Sequence, residues 1–360
     1  MSTVTGSGRE VVTDDKGRPN ASLPAAMGTA SATVVKSPLD EQIARLQAMS
    51  TSPHAPEPPA RSLAVEVIMR LVTRTGVRLE TPHLHGGTDA EKVEYEYRFA
   101  DSFWEVLQGV AGPEALTGKR VLDVGCGWGG KDLQYAETLG LASIVGFDLP
   151  GIYKPEVTEA EARARGLDNC TFTTGYAEDM PFDDASFDVL IMEDVLEHVS
   201  DPVLTLRECA RVLRAEGTII ARFPSLRMLV AHHMDRAVAY PGMQYLLPTR
   251  RWAAGLNHYL LTNRNGVRYE PFCEVVRTPY HKAVTRDLNG MDLAAFRSIV
   301  EGLPFRIQAL ELVGYTKDKF VNHFGRWGSP LHLAYKGARA LPPLREPLSM
   351  SIVFAADKVG

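Results

Sequence analysis

The stretch Arg120–Lys131, RVLDVGCGWGGK, decides the fold of this 360-residue chain. It begins with an apolar run that carries Asp123 near its end, and the run breaks into four glycines within positions 125–130. An apolar run, a glycine-rich turn and a following helix are typical of a buried parallel strand that feeds a nucleotide-binding turn. Glycine is needed there because the backbone turns sharply and a ligand approaches it closely. The stretch therefore predicts a cofactor site and leaves the kind of cofactor open.

Segments downstream of this turn alternate between helical and strand patterns. The predicted helices are 131–139, 154–166, 201–213 and 292–301, and the predicted strands after the first are 143–149, 170–177, 187–195, 218–223, 305–313 and 349–355. The sequence RECARVLRAEG indicates a helix that ends at a glycine and re-enters the sheet. Such alternation predicts an α/β fold, a doubly wound, mostly parallel seven-stranded sheet of Rossmann-like type with helices on both faces.

The segments outside this alternation suggest five parts. They are a disordered segment 1–60 with one short helix at 40–49, a helical cap 61–115, a cofactor-binding core 116–223, a substrate-binding insertion or lid 224–286, and a C-terminal part of the core 287–360. The first is rich in Ser, Thr, Ala, Gly and Pro and cannot bury enough apolar surface to offset its ordering entropy. In the cap, helices are predicted at 63–72 and 89–108. The five aromatic residues of the second helix favour either packing against an edge of the sheet or contact with a ligand.

Composition excludes several classes of protein. The formal net charge of -5 argues against a general nucleic-acid binder, because affinity for phosphates comes from clustered lysine and arginine. The four cysteines are far apart, which indicates reduced, core-filling thiols of a cytoplasmic protein. No apolar run reaches the roughly 18 residues that a membrane span requires.

The glycines alone permit two kinds of cofactor. Gly125, Gly127 and Gly130 satisfy the dinucleotide pattern GxGxxG, and Asp148 follows at the distance where an acid binds ribose hydroxyls. A nicotinamide-dependent oxidoreductase would fit this pattern. However, Asp123 just ahead of the turn would repel a pyrophosphate, and it suits a ligand that presents an ammonium or sulfonium.

Longer motifs favour a cofactor that presents an ammonium or sulfonium over a dinucleotide. VLDVGCGWGG, then GFD, then AEDMPFDDASFDVLIMEDVLEHVSDPVLTLRECARVLRAEG resemble the class I S-adenosylmethionine-dependent methyltransferases, in the group related to ubiquinone-biosynthesis methyltransferases. The resemblance is strong over about 115–225 and weak over the two terminal strands. It implies S-adenosylmethionine as cofactor, S-adenosylhomocysteine as product, and a cofactor-binding set comprising Asp123, Gly125, Cys126, Gly127, Asp148, Leu149, Ala177, Glu178 and Glu193.

The resemblance also implies a role for each region. Residues 123–127 would hold the methionine end, residues 148–149 the ribose and adenine, residues 177–178 the adenine edge, and Glu193 would lie below the sulfonium. Tyr176 stands where many relatives have an aspartate, so no aspartate role is carried over there. For His198, a packing or capping role is favoured over a catalytic one. Lys131 is either a solvated residue or a neighbour of the cofactor carboxylate.

The insertion carries the features expected of an acceptor site. Ten basic residues lie between positions 222 and 286 against three acidic ones, which indicates either a pocket for an anionic acceptor or a solvated, partner-facing surface. The run FPSLRMLVAHHMD resembles bacterial methyltransferases of glycan biosynthesis. Neutral imidazole can accept a hydroxyl proton, so His233 or His232 is the candidate catalytic base. Adjacent histidines point in different directions, so a metal site at His232, His233, Asp235 and His258 is disfavoured and none is predicted.

These observations predict an O-methyltransferase acting on a sugar hydroxyl or another polar, anionic small molecule in a biosynthetic reaction. The alternatives are an N- or C-methyltransferase of a natural product, a nicotinamide-dependent oxidoreductase, and a non-catalytic cofactor-binding protein. Self-association as a homo-oligomer is left open, and neither a nucleic-acid partner nor a membrane span is predicted.

Overall fold

The structure is a computed structural model that describes residues 60–74, 88–150, 154–229, 242–263, 275–276, 284–285 and 288–360. The predicted disordered segment with its helix at 40–49 lies outside the described residues, apart from residue 60. Much of the 224–286 insertion also lies outside them, and this part includes His232, His233 and Asp235.

A seven-stranded sheet forms the centre of the molecule, in the order β3-β2-β1-β4-β5-β9-β8. Its strands are β1 (Arg120–Val124), β2 (Ser143–Asp148), β3 (Cys170–Thr174), β4 (Phe187–Glu193), β5 (Leu213–Phe223), β8 (Phe305–Gly314) and β9 (Ser349–Lys358). β9 runs antiparallel to both of its neighbours, and the other four pairings are parallel. The predicted mostly parallel, doubly wound sheet is confirmed. Two short strands of the insertion, β6 (Val275–Val276) and β7 (Val284–Thr285), pair separately.

The described helices are α1 (Leu63–Arg74), α2 (Asp89–Ala111), α3 (Gly130–Thr138), α4 (Pro155–Arg165), α5 (Pro202–Val212), α6 (Thr249–Asn263), α7 (Leu293–Glu301), α8 (Lys317–Phe324), α9 (Gly328–Arg339) and α10 (Pro342–Arg345). Side chains of β1 alternate between two cores, with Val121 on one face of the sheet and Leu122 on the other. Residues of α2, α3 and α4 fill the core on the Val121 face. Residues of α5 and α7 fill the core on the Leu122 face. The glycine turn between β1 and α3 is thereby fixed at one edge of a rigid sheet.

Several boundaries differ from the sequence prediction, among them the start of β5 and the end of β3. The expected re-entry into the sheet at Gly217 is wrong, because α5 ends at Val212 and β5 begins at Leu213. Leu213 pairs with Phe187 while Thr218 pairs with Val189, and the irregularity between these pairs accommodates the residues in between. β3 ends at Thr174, earlier than predicted, and the chain then turns into the loop that carries residues 175–178.

Two groups of helices lie outside the alternating strands and helices of the core. α1 packs against α6 of the insertion, where Val65 lies close enough to Gly255 that a Cβ there would collide with it. The connection between β8 and β9 contains α8, α9 and α10, none of which is predicted from the sequence. In the part of the chain that the structure describes, none of the helices is long and apolar enough to cross a membrane.

Candidate active site

A cavity of about 740 Å³ opens at the carboxyl ends of β1, β2, β4 and β5. This volume lies within the range of small-molecule sites, roughly 300 to 1,000 Å³. Its wall is mostly apolar and carries five carboxylates, Glu96, Asp148, Glu178, Glu193 and Asp194. The described cations in the wall are Lys131 and Arg222, and both are ion-paired. The cavity is therefore acidic and suits a cationic ligand.

The glycine turn forms the floor of the cavity, and two of its glycines are required by sterics. Gly125 and Gly127 have φ of 79° and 66°, which side-chain-bearing residues adopt at a cost. A Cβ at Gly125 would collide with Val195, and one at Gly127 would collide with the carboxylate of Glu96. The amides of Gly125 and Cys126 both donate to the carbonyl of Phe147, at 2.7 and 3.2 Å, which ties the turn to β2.

Glu96 reaches the same turn from α2. Its carboxylate accepts hydrogen bonds from the amides of Trp128, at 3.1 Å to each oxygen, and of Gly130, at 3.0 Å. These amides belong to the start of α3, where unpaired N–H groups favour a negative charge. Burial nevertheless raises the pKa of Glu96 to about 7, although Lys131 and the two amides oppose the shift. A carboxyl group that changes charge near neutral pH therefore lies in the cavity wall.

Behind the turn lies a buried charged cluster. The ammonium of Lys131 is 3.0 Å from a carboxylate oxygen of Asp123 and 3.3 Å from one of Glu193. Burial by itself lowers the pKa of Lys131, but the surrounding carboxylates outweigh it and hold that pKa well above its usual value. Burial raises the pKa of Asp132 well above its usual value, and the adjacent Asp123 adds to the shift. Asp123 is thus a partner of Lys131, and its side chain is fully buried.

Asp148 lies at the end of β2 with both carboxylate oxygens engaged. One accepts from the amide of Gly127 at 2.8 Å and the other from that of Leu149 at 2.6 Å. Burial raises the pKa of Asp148, while these two hydrogen bonds oppose the increase. Each carboxylate oxygen has a further lone pair, so Asp148 can still accept from two hydroxyl groups of a ligand.

The loop after β3 supplies the opposite wall. Ala177 is buried there, while Tyr176 is exposed and lines the cavity. One oxygen of Glu178 accepts from the hydroxyl and the amide of Ser200, at 2.7 and 2.8 Å, and from the amide of Asp201 at 3.3 Å. Glu178 therefore connects this wall to the start of α5, and its second oxygen is the one available for a ligand.

The remaining wall consists of Phe103, Asp194, His198 and Arg222. Arg222 donates to Asp194 at 2.7 Å, and its guanidinium lies 5.6 Å from the ring centroid of Phe103. His198 is partly exposed, and its ring lies 3.8 Å from a carboxylate oxygen of Glu197. A guanidinium, an imidazole and an aromatic ring together provide polar and apolar contacts for a second ligand.

The structure brings most of the predicted cofactor-binding set together. The members that line the cavity are Gly125, Cys126, Gly127, Asp148, Leu149, Ala177, Glu178 and Glu193. Asp123 lies behind the turn and does not line the cavity. Sequence reasoning missed Glu96. The available signal was its position on the buried face of α2, three residues after Val93 and four before Ala100.

The predicted acceptor residues are only partly described. Of the ten basic residues between 222 and 286, Arg222 reaches the cavity and Arg227 lies 3.8 Å from Glu346. His232 and His233 lie outside the described residues. Within the described ranges, no group of three or more His, Cys, Asp or Glu side chains is arranged to hold a metal ion. The described cysteines, Cys126, Cys170 and Cys209, are buried and free.

Comparison with known proteins identifies the core. The family described as a methyltransferase domain matches residues 122–221, which run from β1 into β5. This match covers less than a third of the chain and includes the glycine turn, so the similarity to methyltransferases is established for this part alone. The cofactor that the sequence resemblance implies is S-adenosylmethionine. The acidic cavity fits such a group, because S-adenosylmethionine carries a sulfonium and an ammonium, and because the glycine turn leaves room where a Cβ would collide.

Relatives of the methyltransferase domain cover only part of the chain. A probable phthiotriol/phenolphthiotriol dimycocerosates methyltransferase of Mycobacterium ulcerans is 38% identical over 28% of this chain and 38% of its own length. The ubiquinone biosynthesis O-methyltransferase of Xanthomonas campestris is 34% identical over 42% of this chain and 60% of its own length. A solved S-adenosylmethionine-dependent methyltransferase of Mesorhizobium loti is 18% identical, with a TM-score of 0.44 over 72% of this chain and 100% of its own. The chain thus spans less than two thirds of the length of these two curated relatives.

Proposed function

We propose that this chain methylates a hydroxyl group of a polar small molecule with S-adenosylmethionine as the methyl donor. The observation that carries the proposal is the acidic cavity around the glycine turn, at the edge where open α/β sheets bind ligands. A similarity to an enzyme named a ubiquinone biosynthesis O-methyltransferase supports oxygen as the methylated atom. When bound, S-adenosylmethionine supplies an activated methyl group on a sulfonium.

Each wall of the cavity has a separate task in this proposal. Asp148 accepts from the ribose hydroxyls, and Leu149 and Tyr176 cover the adenine. Asp123 is neutralised by Lys131 and fully buried, so Glu96 provides the carboxylate that faces the ammonium. The buried cluster behind the turn holds the turn in its binding shape, because separating its charges would leave them unpaired in the interior.

The acceptor then binds against Phe103 and Arg222. A hydroxyl acceptor must lose a proton as the new bond forms, and a positioned base contributes about 10² to 10⁴ in rate. His233 or His232 remains the base predicted from the sequence. His198 is a second candidate, because it lines the cavity within the described part of the chain. A sugar or other anionic acceptor is supported by the basic residues of the insertion, and Arg222 is the one of them that contacts the cavity in the described residues.

The division into a disordered segment, a helical cap, a core, a lid and a C-terminal part is part of the same proposal, as is a cytoplasmic location. The packing of α1 against α6 supports one part of this division, because that contact makes the cap and the lid neighbours.

Two measurements test the proposal. S-adenosylhomocysteine should raise the melting temperature of the purified chain, whereas NAD and NADH should not. With S-adenosylmethionine carrying a labelled methyl group, label should appear on the oxygen of an accepted nucleotide sugar, uronate or phenol. Label on nitrogen or carbon would favour the alternative methyltransferases. Stabilisation by NADH alone would favour an oxidoreductase, and binding without turnover of any acceptor would favour a non-catalytic cofactor-binding protein.

A further inference from the structure

The connection between β8 and β9, residues 315–348, forms a helical hairpin with one anchored face. The hydroxyl of Tyr335 on α9 donates to the carbonyl of Leu348 at 2.6 Å and accepts from the amide of Tyr315 at 2.8 Å. Arg339 donates to the hydroxyl of Ser349 at 3.1 Å. The inward side of α9 is therefore fixed to the end of the sheet, and we refer to residues 315–348 as the C-terminal hairpin.

The outward face of α9 is apolar and uncovered by the described residues. Leu331 (42%) and Leu333 (73%) are exposed on α9, and Trp327 (60%) and Leu341 (54%) are exposed just beyond its two ends. Pro330, Ala334 and Gly337 lie between them and are also exposed. At about 100° per residue the five of these positions that belong to α9, which are 330, 331, 333, 334 and 337, fall within one arc of roughly 160° around the helix axis. Soluble proteins seldom expose such a continuous apolar arc unless it contacts a partner or a lipid surface.

The charges around this face are mostly positive. The C-terminal hairpin contains six basic residues and two acidic ones, in a chain whose net charge is -5. The guanidinium of Arg326 lies 5.4 Å from the ring centroid of Trp327, and Lys336 follows Leu333 on the same helix. Glu346 and Arg339 both point inward, where Glu346 accepts from the hydroxyl of Ser225 at 2.5 Å and Arg339 donates to Ser349, which leaves five basic residues and one acid in the rest of the hairpin. The apolar face is thus bordered by basic side chains.

We propose that the C-terminal hairpin docks this protein on an anionic phospholipid surface. An apolar helix face with a tryptophan and a basic border is the pattern of helices that lie in the membrane interface. A second copy of the chain is a poorer occupant, because it would bring the two basic borders together. The proposed contact is peripheral, with the apolar face lying in the membrane interface. This inference rests on surface residues and does not depend on the proposed methyl transfer.

Docking at this position would orient the cavity. The last residues of β8 and β5 lie at the same edge of the sheet, because Leu312 and Phe223 both pair with Ile352 of β9. The cavity opens at that same edge. The amide of Leu229, just after β5, also donates to the carbonyl of Pro347 at 3.0 Å. A docked hairpin therefore brings the edge of the sheet that carries the cavity close to the lipid surface.

Vesicle co-sedimentation of the full-length chain tests the proposal. The chain should sediment with vesicles of equimolar phosphatidylglycerol and phosphatidylcholine, much less with phosphatidylcholine alone, and less as salt is raised. Leu333→Asp should lower the partition coefficient about tenfold or more, the size expected for losing one buried leucine. Lys336→Glu should lower it by a similar factor on anionic vesicles only. Leu63→Asp is the matched control, because Leu63 is 69% exposed on α1, outside the hairpin.

All three changed side chains are exposed, so each variant should fold, and its melting temperature checks this. Equal sedimentation with and without phosphatidylglycerol would overturn the proposal, as would equal losses for Leu333→Asp and Leu63→Asp. Sedimentation velocity without lipid provides an independent readout. A dimer that Leu333→Asp converts to a monomer would assign the apolar face to a second copy and also overturn the proposal.

Discussion

Replacing Glu96 by glutamine should change how the affinity for S-adenosylhomocysteine depends on pH. The carboxylate of Glu96 lines the cavity at the glycine turn, and its pKa is about 7 because burial outweighs the opposing effect of Lys131 and two amides. With such a pKa, about one tenth of Glu96 is ionised near pH 6 and about nine tenths near pH 8. If the ligand ammonium binds the ionised form, Kd should fall by about tenfold between these values. The amide side chain of the Glu96→Gln variant would lack this titration.

Calorimetric titration with S-adenosylhomocysteine at three pH values measures this effect. The α-amino group of the ligand can itself titrate, so the informative quantity is the ratio of wild-type to variant Kd at each pH. Glu94→Gln is the matched control, because Glu94 lies on the same helix but pairs with Arg98 at 2.6 Å on the surface. The ratio should change about tenfold for Glu96→Gln and stay constant for Glu94→Gln.

Glu96→Gln should weaken ligand binding near pH 8, but it should stabilise the ligand-free protein at that pH. The folded-state pKa of Glu96 exceeds the unfolded value of about 4.3, so the unfolded chain holds fewer protons between the two values and stability falls as pH rises through this window. Without ligand, Glu96→Gln should therefore be more stable than wild type near pH 8, by about 1 to 3 kcal/mol. The reasoning is refuted if wild type and Glu96→Gln show the same pH profile of Kd. Tighter binding by Glu96→Gln near pH 8 would indicate instead that the carboxylate competes with the ligand for the turn.

Three further substitutions probe the turn, the buried cluster and the base. Gly127→Ala should weaken S-adenosylhomocysteine binding about tenfold or more, because alanine is strained at a φ of 66° and its Cβ would displace the carboxylate of Glu96; unchanged affinity in calorimetry would contradict the turn geometry. Lys131→Met should lower the free energy of unfolding in urea by about 3 to 5 kcal/mol, because buried carboxylates lose their partner, and a loss below about 1 kcal/mol would argue against the ion pairs. His233→Gln should lower turnover about 10²-fold with cofactor affinity near wild type, and an effect of His232→Gln alone would move the assignment by one residue.

The sequence predicted the parts of the fold that depend on local pattern. β1 and the glycine turn follow from an apolar run and from glycines that need positive φ, and both are local properties. The start of β5 was not predictable in this way. The sequence LRAEG resembles a helix end, and pairing of Leu213 with Phe187 draws it into the sheet. Pairing with a distant strand overrides local propensity there.

In the candidate active site, too, some residues could be placed from the local sequence pattern and others depend on long-range packing. Asp148 could be placed in the cavity because it ends a predicted strand, and the carboxyl ends of parallel strands meet at one edge. Glu193 was placed there by the family resemblance, and the structure shows that it ends β4. Glu96 could not be placed, because its contact with the turn depends on how α2 packs over α3. The burial of Asp123 depends on Lys131, whose side chain could equally have pointed to solvent.

The central claim is that the cavity binds an S-adenosyl ligand through the end of β2, and calorimetry on wild type and Asp148→Ala tests it most directly. Asp148 accepts from the amides of Gly127 and Leu149, and its remaining lone pairs face the cavity. One S-adenosylhomocysteine should bind per wild-type chain, the affinity of Asp148→Ala should be at least about tenfold weaker, and NAD should not bind. Binding of NAD without binding of S-adenosylhomocysteine, or equal affinity of both proteins for S-adenosylhomocysteine, would contradict it.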